Sequence, residues 1–244
     1  MRIFKLSKDD QNTHTNTVET DQKTLVIVAG VNGAGKSTAY ENSPEIASDL
    51  PIINPDVYAR EFAKQLGVKS INDLPANLQT KVNIKAGKLA LEERELALNN
   101  KKSFGIETTA SSESILKIID KAHKLNYRVN LIYIMLPNEY THIKRVMQRV
   151  KKGGHNIDKE DIKRRFHRAQ VIFPKLLCKV DYACVYDNTL GYQVALEKES
   201  GTYKIFPCNK VIFQRLVEAV QEIYQSEKQT NPFRKTNKIA DIEK

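Results

Sequence analysis

The chain has 244 residues, 41% of them hydrophobic, and its 39 Lys and Arg against 29 Asp and Glu give a formal net charge of +10. This length fits a single domain with short additions, and the apolar content excludes disorder for most of the chain. The composition also excludes a disulfide framework and a cysteine zinc site, because the three cysteines lack CxxC spacing, and no apolar run approaches the roughly 20 residues of a membrane span.

The first 22 residues are polar and aperiodic, which is typical of a tail. Because they contain no long apolar stretch, we expect no secretory signal and a cytoplasmic protein without membrane contact. A short β-branched run over Thr24–Ala29 then predicts a strand that is buried on both faces. Further strands are predicted over Leu50–Ile53, Ser103–Ile106, Arg128–Leu136 and Tyr182–Tyr186, and helices over Val57–Leu66, Leu74–Asn99, Ser111–Leu125 and Val211–Tyr224.

A basic pair of helices is predicted between about residues 138 and 174. Apolar residues recur at helical spacing in both, at Ile143, Val146, Met147 and Val150, and then at Ile162, Phe166, Ala169 and Phe173. Gly153-Gly154 separates them, and His155 is expected to be a loop residue. Residues 142–168 carry a net charge of +7, so most of the excess charge of the chain lies here. The pattern favours a lid that closes over phosphates, while a solvated basic face and an RNA-binding surface are the alternatives.

Towards the C-terminus, Ser200-Gly201 predicts a hairpin between strands over Tyr192–Glu197 and Thr202–Phe206, and residues 226–244 are interpreted as a charged tail. Strands that alternate with helices predict an α/β domain over residues 23–225. We expect a parallel sheet of about five strands with helices on both faces, and the hairpin as a small addition.

The strongest motif follows the first strand. The segment from Gly30 to Ser37 reads GVNGAGKS and matches the phosphate-binding loop pattern G-x-x-x-x-G-K-[ST], between a predicted strand and a predicted helix. Backbone amides of such a loop converge on phosphates, Lys36 would bridge the β- and γ-phosphates, and the Ser37 hydroxyl would hold Mg²⁺. This motif predicts nucleoside triphosphate binding.

Missing motifs narrow the possible classes of phosphate-loop protein. No N-K-x-D segment for guanine recognition and no L-S-G-G-Q-like segment are present, which disfavours a GTPase and a transporter-type ATPase. A small kinase or an ATP-driven motor remains, and the basic segment after the fourth predicted strand favours the kinase.

Two carboxylates follow predicted strands, at the sheet edge where α/β proteins bind ligands. Asp56 comes after the second strand and is interpreted either as a helix N-cap or as the base that takes a proton from the acceptor hydroxyl. Glu107 comes after the third strand, beside Thr108 and Thr109. It could orient the acceptor or hold Mg²⁺ through water, or it could be a solvated carboxylate near a helix start.

Taken together, five segments resemble the zeta toxin family of small phosphate-loop kinases. They are V-A-G-V-N-G-A-G-K-S-T, I-N-P-D-V-Y-A-R, S-F-G-I-E-T-T-A-S, R-V-M-Q-R-V-K-K-G-G-H-N-I with I-K-R-R-F-H-R-A, and Y-D-N-T, within residues 24–220. The resemblance implies transfer of the ATP γ-phosphate to the 3′-hydroxyl of the sugar in UDP-N-acetylglucosamine. It also implies a toxin that a small antitoxin protein holds silent.

The resemblance also implies roles for individual residues. Asp56 matches the general base, Glu107 and Thr109 match a pair that contacts the acceptor, and Arg149 and Arg165 are the preferred catalytic arginines. The ATP site would comprise Gly30, Asn32, Gly33, Ala34, Gly35, Lys36, Ser37, Thr38, Arg145 and Arg164. The acceptor site would comprise Asp56, Arg60, Glu107, Thr108 and Thr109. Here the second strand ends in Asn54-Pro55-Asp56, where the founding toxins have an acid at both outer positions.

We therefore expect an ATP- and Mg²⁺-dependent kinase that acts on a UDP-activated amino sugar. A polynucleotide 5′-end kinase is the alternative enzyme, and a non-catalytic ATP-binding interaction protein is the alternative outside enzymes. Because +7 of the charge lies on one helix pair, the basic composition is explained by neutralising a triphosphate, and nucleic acid is not the expected partner.

Overall fold

A computed structural model of the protein describes residues 22–42, 50–154 and 156–230. Residues 1–21 of the predicted N-terminal tail, residues 231–244 of the predicted C-terminal tail and His155 lie outside the described residues.

Seven strands form one sheet. They are β1 (Thr24–Ala29), β2 (Ile52–Ile53), β3 (Phe104–Thr108), β4 (Arg128–Met135), β5 (Tyr182–Asp187), β6 (Gln193–Glu199) and β7 (Thr202–Ile205). Their spatial order is β2-β3-β1-β4-β5-β6-β7, with parallel pairing from β2 to β5 and antiparallel pairing from β5 to β7. The predicted parallel sheet is confirmed, and the predicted hairpin extends this same sheet at one edge.

Seven helices are described. They are α1 (Lys36–Asn42), α2 (Pro55–Gln65), α3 (Ala76–Asn99), α4 (Ser114–Lys124), α5 (Glu139–Lys151), α6 (Lys159–Lys179) and α7 (Lys210–Thr230). Helix α7 is longer than the predicted Val211–Tyr224 and continues to Thr230, into the segment interpreted as a charged tail. None of the described helices is long and apolar enough to cross a bilayer.

The second strand is shorter than the predicted Leu50–Ile53 and contains only Ile52 and Ile53. Pro51 has no amide hydrogen to donate to a neighbouring strand. Its carbonyl still accepts a hydrogen bond from the Gly105 amide at 2.9 Å. The pairing of β2 with β3 therefore begins at Ile52, one residue after Pro51. Strand β2 is a short edge strand that leads into α2.

The main core lies on one face of the sheet, where alternate residues of the strands pack against helices α3, α4, α6 and α7. On the other face, Ala39 of α1 packs with Ile134 of β4. Strand β1 lies inside the sheet, and strands β3 and β4 pair with it on opposite sides. The carboxyl end of β1 is thus a switch point in the sheet order, which is where α/β folds form ligand crevices.

The basic helix pair is confirmed as α5 and α6. Ile143, Val146, Ile162, Phe166 and Ala169 form a small core between the two helices, together with Val31 of the loop after β1. Met147 was expected on this apolar face and is 47% exposed, because the face is narrower than the sequence pattern indicated.

The C-terminal end of α6 is fixed to the sheet. The Lys198 ammonium of β6 is buried and donates hydrogen bonds to the carbonyls of Leu177, Cys178 and Val180 at 2.8, 2.8 and 2.6 Å. These contacts satisfy carbonyls at the negative end of the helix dipole. Helix α6 also contains Pro174, which removes one internal hydrogen bond.

Candidate functional site

The loop between β1 and α1 has the backbone that phosphate binding requires. Gly33 and Gly35 have φ angles of +82° and +104°. A Cβ atom at Gly33 would lie 2.7 Å from the His142 carbonyl of α5, and one at Gly35 would lie 2.6 Å from the Tyr192 hydroxyl. Glycine is therefore needed at both positions, because the backbone has a positive φ angle there and because His142 and Tyr192 lie too close for a side chain.

Lys36 and Ser37 meet Glu107 at the first turn of α1. The Lys36 ammonium lies 3.7 Å from Glu107 Oε1, and the Ser37 hydroxyl donates to Glu107 Oε2 at 3.3 Å. Lys36 is 7% exposed and Glu107 is 9% exposed. Burial lowers the pKa of Lys36 from its ordinary value, and the charges of Glu107 and Asp56 partly offset this effect. Glu107 is thus a buried partner of the loop, and the interpretation as a solvated carboxylate is wrong.

Asn54 links this cluster to α2. Its side-chain amide donates to Glu107 Oε2 at 2.7 Å, and its side-chain oxygen accepts from the Asp56 amide at 2.9 Å. Asn54 is the N-cap of α2, and Asp56 lies in the first turn. The interpretation of Asp56 as the cap is therefore wrong, and its carboxylate has no capping role to fulfil.

Two adjoining cavities lie beside this cluster. The larger, of about 570 Å³, is bounded by Asn32, Gly33, Gly35, Lys36, Ser37, Thr38, Asp56, Glu107, Arg145, Gln148, Arg149, Lys152, Gly154, Asn188 and Tyr192. The smaller, of about 260 Å³, is bounded by Ser37, Asn54, Asp56, Ala59, Arg60, Lys69, Ser70, Ile71, Asn83, Arg149, Gly153 and Gly154. We call them the loop cavity and the α2 cavity. Ser37, Asp56, Arg149 and Gly154 line both, so Asp56 lies at their junction.

The four predicted lid arginines have different surroundings. Arg149 lines both cavities, and Arg145 lines the loop cavity while donating to the Asn188 carbonyl at 2.6 Å. Arg165 donates to the side-chain oxygen of Asn32 at 2.8 Å, which holds it against the phosphate loop. Arg164 lies one residue away on α6 and points elsewhere, into an exposed ion pair with Asp161 at 2.7 Å. The structure therefore does not bring Arg164 to the loop with the other three.

The residues predicted to contact the acceptor are divided in a similar way. Arg60 lines the α2 cavity, and its Nε donates to the Asp56 carbonyl at 3.3 Å. The Thr108 hydroxyl accepts from the Ala110 amide, and the Thr109 hydroxyl shares a hydrogen bond of 2.8 Å with Ser111. These two threonines shape the turn after β3, and neither lines the two cavities.

Gly153 and Gly154, which follow α5, line the α2 cavity. Asn72, in the turn after α2, donates to the Gly154 carbonyl at 3.1 Å and accepts from the Asn156 amide at 3.4 Å. A Cβ atom at Gly154 would lie 2.5 Å from the Arg149 side chain. The predicted hinge glycine thus allows Arg149 to lie along the hinge, between the two cavities.

Several contacting residues were not predicted from the sequence. Asn188 donates to the Ala34 carbonyl at 2.7 Å, and the Tyr192 hydroxyl donates to the Gly35 carbonyl at 2.6 Å. His142 is buried, and its Nδ1 donates to the Asn32 carbonyl at 2.9 Å. Burial lowers the pKa of His142 to about 4, so the ring is neutral at pH 7. The Y-D-N-T segment was the one signal in the sequence for Asn188, and no motif indicated Tyr192 or His142.

Comparison with known proteins identifies the family. The family model described as "Zeta toxin" matches residues 8–198, which is most of the chain. The chain belongs to the zeta toxin family. An uncharacterised protein of Haemophilus influenzae is 28% identical over 145 residues, covering 59% of this chain and 94% of its own length.

Solved structures support the same fold for this zeta toxin family member. The PezAT toxin–antitoxin system of Streptococcus pneumoniae matches with a TM-score of 0.54 at 16% identity, covering 84% of this chain and 87% of that one. The complex of AvrRxo1-ORF1 and ORF2 with ATP matches with a TM-score of 0.60 at 16% identity, covering 82% and 64%. A putative kinase from Chloroflexus aurantiacus matches with a TM-score of 0.52 at 18% identity, covering 70% and 90%.

Family membership and fold together make this zeta toxin family member a phosphotransferase of the kinase type. The resemblance in the sequence to this family is thereby confirmed.

Proposed function

We propose that this kinase transfers the γ-phosphate of ATP to a hydroxyl of a UDP-activated amino sugar, with Asp56 as the general base. The single observation that carries the proposal is the location of Asp56 at the junction of the loop cavity and the α2 cavity. A base at this point is within reach of an acceptor on one side and of a triphosphate on the other.

In the proposed reaction, ATP occupies the loop cavity with its phosphates against the glycine loop and Lys36. Asp56 accepts the proton of the acceptor hydroxyl while the oxygen forms a bond to the γ-phosphorus. The bond from that phosphorus to the bridging oxygen breaks, and ADP leaves with the electron pair. Arg149 and Arg145 line the loop cavity and would neutralise charge on the transferred group.

The residues at the start of α1 fit a magnesium ion. Ser37 supplies a hydroxyl and Glu107 a carboxylate 3.3 Å away, and oxygen ligands of this kind, completed by phosphates and water, are those that Mg²⁺ prefers. When bound, Mg²⁺ would neutralise negative charge on the β- and γ-phosphates. Asn54 would keep Glu107 oriented towards that position through its hydrogen bond of 2.7 Å.

Support for an anionic acceptor comes from the lining of the α2 cavity. Among the described residues that line it, Arg60, Lys69 and Arg149 contribute cationic side chains, and Asp56 is the one acidic residue. Ser70 and Asn83 add neutral hydrogen-bonding groups. A diphosphate-linked sugar combines two negative phosphates with several hydroxyls, so its chemistry matches this lining.

The decisive experiment incubates the protein and labelled ATP with a panel of UDP-sugars, free nucleosides and oligonucleotides, and then asks which acceptor carries the label. We expect label on UDP-N-acetylglucosamine or a close relative. Asp161→Asn serves as a matched control for loss of a carboxylate outside the cavities, and it should retain transfer. Label at an oligonucleotide 5′ end would overturn the assignment in favour of a polynucleotide kinase, and the absence of any transfer would favour a binding protein.

We also infer that the protein is the toxin of a toxin–antitoxin pair. Support comes from the family and from the PezAT system, whose name describes such a pair. Induced expression in a bacterial host should arrest growth for the unmodified chain and not for Asp56→Asn. Normal growth with a chain that is active in vitro would contradict the toxin role and leave the kinase assignment intact.

A further inference from the structure

A third cavity, of about 360 Å³, lies behind the phosphate loop and shares neither Asp56 nor Lys36 with the site described above. Its walls come from Val31, the carboxyl end of β4, His142 of α5, and one face each of α6 and α7. Most of the lining is apolar, with Phe166, Ala169 and Phe173 on α6. A largely apolar cavity of this size with a few convergent polar groups is the usual form of a small-molecule site.

Arg215 of α7 is the main polar group in the cavity. Its guanidinium lies 5.0 Å from the centre of the Phe166 ring and makes a long hydrogen bond of 3.4 Å to the Leu136 carbonyl. Within the part of the chain that the structure describes, no carboxylate lies within ion-pair distance of it. Burial lowers the pKa of Arg215 from its ordinary value, and Tyr133 and the charge of Glu218 partly offset this effect, so the cation is partly desolvated. Such a group gains from a bound anion.

Tyr133 of β4 lines the same cavity. The residue is 4% exposed, and among the described residues no partner donates to or accepts from its hydroxyl. Arg215 lines the same cavity, and its charge lowers the pKa of this hydroxyl while burial, the larger effect, raises it. The cavity therefore offers a hydrogen-bond donor beside a cation, at the end of an apolar chamber.

The other charged groups limit the charge of a ligand. Glu218 and Glu222 line the cavity from α7, and both are exposed. Gln214 donates to Glu218 at 3.0 Å and holds that carboxylate along the helix. His142 lines the cavity as a neutral ring, since its pKa is lowered to about 4. Among the described lining residues, the two carboxylates oppose a bound anion, and they oppose a phosphate dianion more strongly than a ligand with one negative charge on Arg215.

We propose that this cavity binds a small organic monocarboxylate with an apolar or aromatic body, its carboxylate on Arg215 and Tyr133 and its body against Phe166 and Phe173. Val31 of the cavity wall is itself a residue of the phosphate loop, and His142 of the wall donates a hydrogen bond to the loop carbonyl of Asn32. A ligand here would touch the loop from behind without entering the loop cavity, which makes the site a second, separate one.

The test uses benzoate as the probe and benzamide as its neutral counterpart of the same shape. Isothermal titration should show saturable benzoate binding with a dissociation constant of about 1 mM, the range for a ligand of nine heavy atoms, and at least tenfold weaker binding of benzamide. The titration is repeated with saturating ATP, which should leave benzoate binding in place. Loss of binding with ATP would assign the probe to the loop cavity and overturn the proposal.

Two variants distinguish this site from other surfaces. Arg215→Gln should weaken benzoate binding at least tenfold and leave the weak binding of benzamide unchanged. Ala169→Met fills the chamber from α6 and should abolish binding of both compounds. If Arg215→Gln fails to fold, Ala169→Met and the comparison with benzamide still decide the matter. Equal binding of benzoate and benzamide, or no saturable binding of benzoate up to about 10 mM, would contradict the inference.

Discussion

Arg165 of α6 donates a hydrogen bond of 2.8 Å to the side-chain oxygen of Asn32 in the phosphate loop. The main-chain carbonyl of the same asparagine accepts a second hydrogen bond, from His142 of α5. One loop residue is thus contacted by both helices of the basic pair. Because Asn32 is neutral, a phosphate that entered the loop would compete for Arg165 with a stronger, charge-assisted bond.

This contact predicts coupling between Asn32 and Arg165 in catalysis. Asn32→Ala should lower kcat/KM for ATP by about tenfold, because Arg165 loses the group that holds it at the loop. A hydrogen bond to a charged group contributes at least about 1.5 kcal/mol, which corresponds to about tenfold in kcat/KM. In an Arg165→Ala background the same change should cost less than about twofold. Steady-state kinetics of the four proteins measure the coupling. Equal losses in both backgrounds would show that Asn32 acts independently of the arginine.

Asp56→Asn tests the proposed base. The amide keeps the size of the side chain but cannot accept the proton, so transfer should fall by about 10²- to 10⁴-fold. ATP affinity should change little, because Asn54 and not Asp56 caps α2 and the loop remains intact. Single-turnover transfer and equilibrium ATP binding are the two measurements. A variant with unchanged transfer would remove Asp56 from the mechanism.

Asn54 caps α2 and also hydrogen-bonds Glu107, and two substitutions at this position can separate these roles. Asn54→Ala removes both the cap of α2 and the hydrogen bond to Glu107, and it should lower the free energy of unfolding by about 1 kcal/mol as well as lowering activity. Asn54→Ser keeps a good capping group but is too short to hold Glu107. It should retain stability and still lose about tenfold in activity. Denaturant unfolding and transfer assays are compared, and full activity of the serine variant would show that Glu107 needs no support from Asn54.

His142 predicts a specific pH dependence of stability. Its pKa is lowered from 6.5 to about 4 in the folded protein, so between these values the unfolded chain binds more protons. Stability therefore rises with pH across this window and is lost as the pH falls from about 6.5 towards 4. His142→Asn keeps a donor near the Nδ1 position but does not titrate.

The comparison of these two proteins isolates the histidine from other acid-sensitive groups. Between pH 7 and 4.5, the unmodified protein should lose about 2 to 3 kcal/mol more unfolding free energy than His142→Asn. Urea unfolding at both pH values measures the difference. Parallel losses in the two proteins would show that His142 titrates normally in the folded state.

The sequence predicted the fold well because its strongest signals are local. The buried run before the glycine loop and the helical spacing of Ile162, Phe166 and Ala169 each depend on neighbours a few residues away. The length of β2 was overestimated, because Pro51 interrupts a run that is otherwise apolar. The length of helix α7 was underestimated, because the residues after Tyr224 are polar and extend the helix without an apolar pattern.

Much of the candidate site could not be predicted because it depends on contacts between distant segments. Tyr192 and Gly35 are far apart in the chain, and their hydrogen bond follows from the order of the strands. Arg164 and Arg165 are neighbours with equal chemistry, and only the rotation of α6 decides that Arg165 contacts the loop. Asn54 was noted as a departure from the founding toxins, but its two hydrogen bonds required the positions of β2 and β3.

The attachment of α6 has a mechanical consequence. Lys198 and the core hold the C-terminal turns of this helix, while Arg165 lies nine residues before Pro174, in the half of the helix that packs against α5. At 1.5 Å per residue that arm is about 13 Å long, so a bend of about 10° at the proline would displace the guanidinium by about 2 Å. A small change of direction at Pro174 would therefore decide whether the guanidinium of Arg165 stays on Asn32 or reaches a bound phosphate.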